Sequence, residues 1–109
     1  MKFSTVRTFA LSLDDVSEAP HHDYGSFRVG GKIFVTVPPG EEFIHVFIPE
    51  ERREEVLELH SSCAEKLLWG GKVVGVRIEL AKAEAALVKQ WVREAWAHKA
   101  AQAPKRKGA

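Results

Sequence analysis

The sequence of 109 residues is poor in features that mark secreted or membrane proteins. Its single cysteine, Cys63, cannot form an internal disulfide, and such sparing use of cysteine is typical of a reducing compartment. No apolar run approaches the roughly 20 residues that a membrane span requires. Residues 1–13 are too polar for a signal peptide, because Arg7 interrupts their apolar part and no small-residue cleavage site follows. These absences favour a cytoplasmic protein that has no membrane partner.

The chain also lacks an excess of charge of one sign, since its formal net charge is +1. The distribution is uneven, however: residues 1–60 carry 6 basic and 11 acidic side chains, whereas residues 61–109 carry 10 basic and 4 acidic ones. A uniformly basic protein would be expected to bind nucleic acid through the release of counterions. Here the composition allows only a local basic surface.

Three segments have the apolar spacing of helices. In residues 4–13 the apolar side chains recur three and four positions apart, so that they share one side of a helix. Pro49 begins a second helix, over residues 49–62, because proline is favoured in a first helical turn. Residues 82–99 carry the widest apolar stripe, which predicts a helix packed against the core with Trp91 and Trp96 inside it.

Five further segments are rich in β-branched and aromatic residues, and we predict that they form strands. Three of them follow one another before the second helix and two follow it, at residues 26–29, 32–37, 42–48, 65–69 and 72–80. The pairs Gly30-Gly31 and Gly70-Gly71 each link two strands as a hairpin, because a two-residue primed turn needs positive φ, which glycine adopts without strain. The nearly continuous apolar character of residues 42–48 predicts a central strand.

The predicted order is therefore α-β-β-β-α-β-β-α. This is an α+β domain in which helices pack on an antiparallel sheet. We expect residues 1–101 to form this one domain and residues 102–109 to form a flexible basic tail.

Both glycine pairs are followed by lysine, at Lys32 and Lys72, which raises the question of a phosphate-binding loop. A loop of that kind needs Ser or Thr after the lysine and a helix beyond it. Here Ile33 and Val73 follow, and each begins a predicted strand. The residues that follow the lysines therefore exclude a nucleotide-binding loop, and we interpret the two glycine pairs as similar turns.

The segment ALSLDDVSEAPHHDYGSFRVGGKIFVTV, residues 10–37, resembles the opening of the MmcQ/YjbR-like family of small bacterial proteins. The matching positions are Ala10, Leu11, Ser12, Leu13, Val16, Glu18, His22, Ser26, Phe27, Arg28, Val29, Gly31, Lys32, Ile33 and Phe34. The helix beginning at Pro49, the tryptophan-containing hairpin and the end of the chain are also similar. Asp14 departs from the family pattern, which usually has proline there, and residues 65–71 depart from its glycine- and aromatic-rich form.

This resemblance implies an α-β(3)-α-β(2)-α fold, the order also read from the segments. Family members carry a DNA-binding label, associated with β-hairpins that approach nucleic acid as wings. The family has no catalytic motif, so we expect no enzyme activity, no catalytic residue and no cofactor.

The residues that we predict to contact double-stranded DNA are the cations of the two hairpins and of the tail. They are Arg28, Lys32, Lys66, Lys72, Arg77, Lys105, Arg106 and Lys107. Lysine and arginine beside glycine turns can follow phosphates. The alternative is that lysines at strand ends only keep the edges of the sheet soluble. Trp69, at a hairpin tip, either stacks on a base or partner or folds back over the sheet.

Two other functions are compatible with the sequence. The topology resembles that of secretion chaperones, which predicts a protein-interaction module, as a homodimer or with another protein. A metal or enzyme site formed by His21, His22, Asp23 and His45 is disfavoured, because adjacent histidines in an extended segment point to opposite sides. We expect His45 to be a hydrogen-bonded histidine of the interior or of a groove, and Cys63 to be buried and inert.

Overall fold

The structure, a computed structural model, describes residues 1–103. Its elements are α1 (Phe3–Ser12), β1 (Val16–His21), β2 (Tyr24–Val29), β3 (Lys32–Val37), β4 (Phe43–Val46), α2 (Glu50–Leu59), β5 (Ala64–Trp69), β6 (Lys72–Glu79), a 3₁₀ turn (Leu80–Lys82) and α3 (Ala85–Gln102). None of the helices in this part of the chain is long and apolar enough to cross a bilayer.

The six strands form one antiparallel sheet in the order β1-β2-β3-β4-β6-β5. The predicted α+β class is confirmed, with helices packed on an antiparallel sheet. The expected order is corrected in one respect, because four strands precede α2 where three were predicted. The additional strand, β1, lies at the edge of the sheet, where Pro20 is tolerated because proline has no amide hydrogen to donate to a neighbour.

Strand β4 is central, as predicted from its apolar sequence. It lies between β3 and β6, and its Ile44 and Val46 have no exposed surface. Val46 pairs with Val35 on one side and with Val76 on the other, so three valines form a continuous buried row. Burial of this apolar surface is the main favourable contribution to folding.

The helices share one face of the sheet. Phe3 of α1 lies 6.2 Å from Phe27 of β2, measured between ring centres, and α1 also packs against α3. Arg52 of α2 binds Glu94 of α3 through two hydrogen bonds of 2.8 and 2.9 Å. The hydrogen bonds from Arg52 lower the pKa of the Glu94 carboxyl. Trp91 of α3 is buried in the core, as predicted, whereas Trp96 is half-buried and donates to Asp14 O at 2.9 Å.

The pairing brings two turns to one end of the sheet. Lys32 begins β3, and because β4 runs antiparallel to both β3 and β6, Lys72 begins β6 at the same end. The C-terminal end of α3 also reaches this end, since a Cβ on Gly30 would lie 2.6 Å from the Cβ of Ala103. The turn between β1 and β2 lies at the opposite end of β2.

Gly75 of β6 is required by a close approach of two backbones. A Cβ at this position would lie 2.6 Å from Val46 O and 3.3 Å from a ring carbon of Phe47. We predict that Gly75→Ala lowers the free energy of unfolding by about 2–3 kcal/mol, because the carbonyl cannot move without breaking strand pairing.

The matched control for this prediction is Gly25→Ala, also within a strand. There the added Cβ would meet Val37 at 3.7 Å, an ordinary contact. Urea denaturation of both variants measures the difference, and equal stability of the two would contradict the packing described for Gly75.

Candidate functional site

The two predicted turns are present and have the predicted geometry. Gly30 and Gly31 have φ of 55° and 82°, and Gly70 and Gly71 have φ of 58° and 80°. Positive φ at both central positions is the pattern of the primed hairpin turn. Each turn therefore presents a lysine, Lys32 or Lys72, at the same end of the sheet, and both lysines are exposed.

Two cations from the helices join these turns. Lys99 of α3 is half-buried, and its Nζ lies 5.9 Å from the centre of the Phe47 ring. Burial lowers the pKa of Lys99, and the positive charges of Lys32 and Arg53 lower it further. We call the set of Lys32, Lys72, Arg53 and Lys99, with the two glycine turns, the hairpin end. Because like charges there repel one another, a bound anion would relieve part of that cost.

Arg53 was not among the predicted site residues. It lies in the acidic sequence of α2, where the pattern indicates a solvated helix face. In the structure its Nε donates to Ile48 O at 3.0 Å and one terminal nitrogen donates to Val73 O at 2.9 Å. These bonds fix the guanidinium beside the start of β6. The sequence of α2 does not reveal that Arg53 lies beside β6, because this contact joins residues 20 positions apart.

The hairpin end also contains acidic groups. The carboxylate of Asp15 lies 4.0 Å from the position that a Cβ on Gly30 would occupy. Glu51 is close enough to His98 to raise its pKa, although burial, Lys99 and Arg53 together lower it. The basic character is therefore local, as the net charge predicted.

Trp69 is exposed at the end of β5, with 49% of its surface accessible. Its ring centre lies 5.3 Å from that of Phe47. The neighbouring Leu68 is 56% exposed. Trp69 thus contacts an aromatic ring of its own chain, and about half of its surface remains exposed, so that contact with a base or partner stays a prediction.

The remaining predicted cations lie in different surroundings. Arg28 is half-buried, and its guanidinium donates to Ser26 Oγ at 3.3 Å and to Pro20 O at 3.4 Å. Arg77 lies over the Phe43 ring at 4.1 Å and pairs with Glu65 at 3.4 Å. Lys66 is exposed on the edge strand β5. Lys105, Arg106 and Lys107 lie outside the described residues.

A row of polar side chains crosses the sheet on the face opposite the valine row. Its members pair in turn from β2 to β5 and are Ser26, Thr36, His45, Arg77 and Glu65. Ser26, Thr36 and His45 are at most 3% exposed. Sequence reasoning did not find this row, because its members belong to five strands and only the register aligns them.

His45, at the centre of the row, is interior, as predicted, but only one of its two ring nitrogens has a hydrogen-bond partner in the described part of the chain. Its Nδ1 lies 3.1 Å from Thr36 Oγ1, and its ring centre lies 5.9 Å from that of Tyr24. The Nε2 atom is buried without a hydrogen-bond partner among the described residues. Burial and the positive charge of Arg77 lower the pKa of His45 to about 4, so the ring is neutral at pH 7.

The buried neutral state of His45 predicts a pH dependence of stability. Between pH 6.5 and about 4 the unfolded chain binds a proton at His45 that the folded chain does not, so stability decreases as pH falls through this range. The expected loss from this residue is about 3 kcal/mol. We predict that His45→Asn, which keeps a polar atom toward Thr36, flattens the curve of unfolding free energy against pH in this range.

The control is His22→Asn, at a turn position with φ of 57° that asparagine adopts readily. It leaves His45 in place and should keep the wild-type slope. Urea denaturation at a series of pH values gives both slopes, and a wild-type slope in His45→Asn would show that His45 is not the group responsible.

The histidines of the disfavoured metal hypothesis do not converge on one centre. The rings of His21 and His22 are 4.9 Å apart, whereas His45 contacts Thr36 and Tyr24. Within residues 1–103, no three His, Cys, Asp or Glu side chains are grouped so that they could hold a metal ion. Cys63 is buried as predicted, and burial together with Glu79 and Glu84 raises the pKa of its thiol.

The fold and the site define a small α+β protein in which two glycine turns present cations at one end of an antiparallel sheet. Comparison with known families identifies it further: the family model YjbR matches residues 11–98, and the chain belongs to this family. The resemblance noted in residues 10–37 is thereby confirmed. No curated protein and no solved structure gave a match.

Proposed function

We propose that this YjbR-family protein is a non-enzymatic cytoplasmic protein that binds double-stranded DNA through the hairpin end. The observation that carries the proposal is that the pairing of β3, β4 and β6 brings Lys32 and Lys72 to the same end of the sheet. Contacts between cations and phosphates supply most of the affinity of proteins that bind DNA without sequence preference.

The shape of the turns supports this role. A primed turn is narrow, because glycine has no side chain. The backbone can approach a phosphate closely at Gly31, Gly70 and Gly71, where an added Cβ would meet nothing within 4 Å, whereas Gly30 faces Ala103. Two such tips, each followed by a lysine, form two separate contacts with a phosphate backbone. Arg53 of α2 and Lys99 of α3 add two cations near the tips.

The acidic groups near the tips and the net charge of +1 limit the expected affinity. We therefore expect weak binding that depends steeply on salt, without strong preference for a base sequence. Sequence preference would require side chains that reach the edges of bases, and lysines at turn tips contact phosphates without reading sequence.

A protein-interaction module is the second candidate. It is favoured by Leu68 and Trp69, two exposed apolar side chains next to each other on the edge strand β5. An exposed edge strand can pair with a strand of another chain. The exposed apolar surface consists of two side chains, Leu68 and Trp69, whereas a stable interface buries about 800 Å² on each partner. This surface is therefore small for a stable interface.

The test of DNA binding replaces both turn lysines by glutamine, in Lys32→Gln/Lys72→Gln. We expect binding to a labelled duplex, measured by fluorescence anisotropy at 20–200 mM salt, to weaken. The slope of log K against log salt should fall by up to about 2, since each phosphate contact contributes about 0.9.

The control is Lys82→Gln/Lys89→Gln, which removes the same charge away from the turns. Lys82 lies beyond the other end of β6 and Lys89 lies near Phe9 of α1. An equal loss of DNA affinity in the two double variants would mean that binding depends on the total charge and not on the position of the turn lysines. Absence of binding by the unaltered protein at 20 mM salt would refute the proposal.

A further inference from the structure

A cavity of about 400 Å³ adjoins the hairpin end. Ile33 of β3 and Val73 and Val74 of β6 form its apolar wall, and His21 at the end of β1 also lines it. The volume is in the range of sites that hold small organic molecules. The wall residues directly follow the turn lysines in the sequence, so the cavity and the turns share the same two strands.

Two cations line this apolar cavity. They are Arg53 and Lys99, which come from different helices. Lys99 is half-buried, and the charges of Arg53 and Lys32 oppose its protonated form. Burial of like charges against apolar side chains costs free energy that a bound anion would recover. This arrangement favours a ligand with a negative group.

Two aromatic rings line the same cavity. Phe47 is 7% exposed and Trp69 is 49% exposed, with their ring centres 5.3 Å apart. The distance lies within the range in which aromatic rings stack or meet at an angle. The exposed part of the Trp69 ring can therefore receive another flat ring, as tryptophan does when it binds bases or aromatic ligands.

We infer that this cavity binds an anion that carries a flat aromatic group. The aromatic group of the ligand contacts Trp69 and the apolar wall of the cavity. The anionic group of the ligand lies between Arg53 and Lys99. Inorganic phosphate can interact only with the two cations, and a neutral aromatic compound can interact only with the aromatic rings and the apolar wall. Neither should bind as well as a molecule that carries both groups.

The ligand chemistry has two possible sources, a nucleotide or an aromatic acid that is not a nucleotide. This inference does not depend on duplex binding, because its key residues, Lys99 and Trp69, differ from the turn lysines that test DNA binding. Either proposal can therefore fail while the other holds.

The test uses 8-anilinonaphthalene-1-sulfonate, an aromatic anion whose fluorescence increases on binding. We expect saturable binding that weakens about tenfold in Lys99→Met, which keeps the apolar stem and removes the charge. Trp69→Ala should weaken binding by a similar factor. The neutral N-phenyl-1-naphthylamine should bind at least tenfold less tightly than the anion.

Two matched controls test the location. Lys89→Met is the counterpart of Lys99→Met, since both lysines are on α3 with Nζ 5.9 Å from a phenylalanine ring centre. Leu68→Ala is the counterpart of Trp69→Ala, since Leu68 is an exposed apolar neighbour on β5. Both controls should keep the wild-type affinity, and circular dichroism confirms that all four variants are folded.

The possible results distinguish a wrong inference from a correct one and also identify the class of ligand. Equal weakening in the controls, equal binding of the neutral compound or no saturable binding of the anion would each overturn the inference. Displacement of the fluorescent anion by deoxyadenosine monophosphate, but not by inorganic phosphate, would assign the source to nucleotides. If the anion binds as expected and the nucleotide does not displace it, the site takes aromatic acids other than nucleotides.

Discussion

The antiparallel register that joins β3, β4 and β6 is the constraint on which the other features depend. Because Val46 pairs with both Val35 and Val76, the first and last of these three strands run in the same direction. Their preceding turns must then lie at the same end of the sheet, about 40 residues apart in the sequence. The close approach of Gly75 to Val46 O belongs to the same pairing. A different register would separate the lysines, the cavity wall and Arg53.

The same register also produces two different faces. One face carries the buried valine row beneath the helices, and the other carries the polar row centred on His45. Burying polar groups without full hydrogen bonding costs stability, and His45 Nε2 is such a group. The polar row therefore lowers stability but helps to fix the register of the strands. A slip of β4 by one residue would turn His45 toward the apolar side of the sheet, where the helices pack. The hairpin end shows a related compromise, in which Lys99 is half-buried near Arg53, whose guanidinium is fixed by hydrogen bonds to Ile48 O and Val73 O.

The sequence predicted what depends on local chemistry. Both glycine turns, the central strand β4 and the core position of Trp91 follow from patterns within a few residues, and the structure contains them. Strand β1 was missed because its sequence, VSEAPH, contains Pro20 and only one β-branched residue and no Phe, Tyr or Trp, so that it has the composition of a connecting segment. Arg53 and the polar row were missed for another reason. Their positions depend on contacts between residues far apart in the sequence, which no local pattern encodes.

The most direct test of the account is a nuclear magnetic resonance titration of the unaltered protein with a short DNA duplex. The central claim is that the two turns and the end of α3 form one surface that binds DNA. If this surface binds DNA, the largest changes in amide chemical shift occur together at residues 30–32, 70–72 and 98–103. Changes centred on α1, or no changes at low salt, would contradict it.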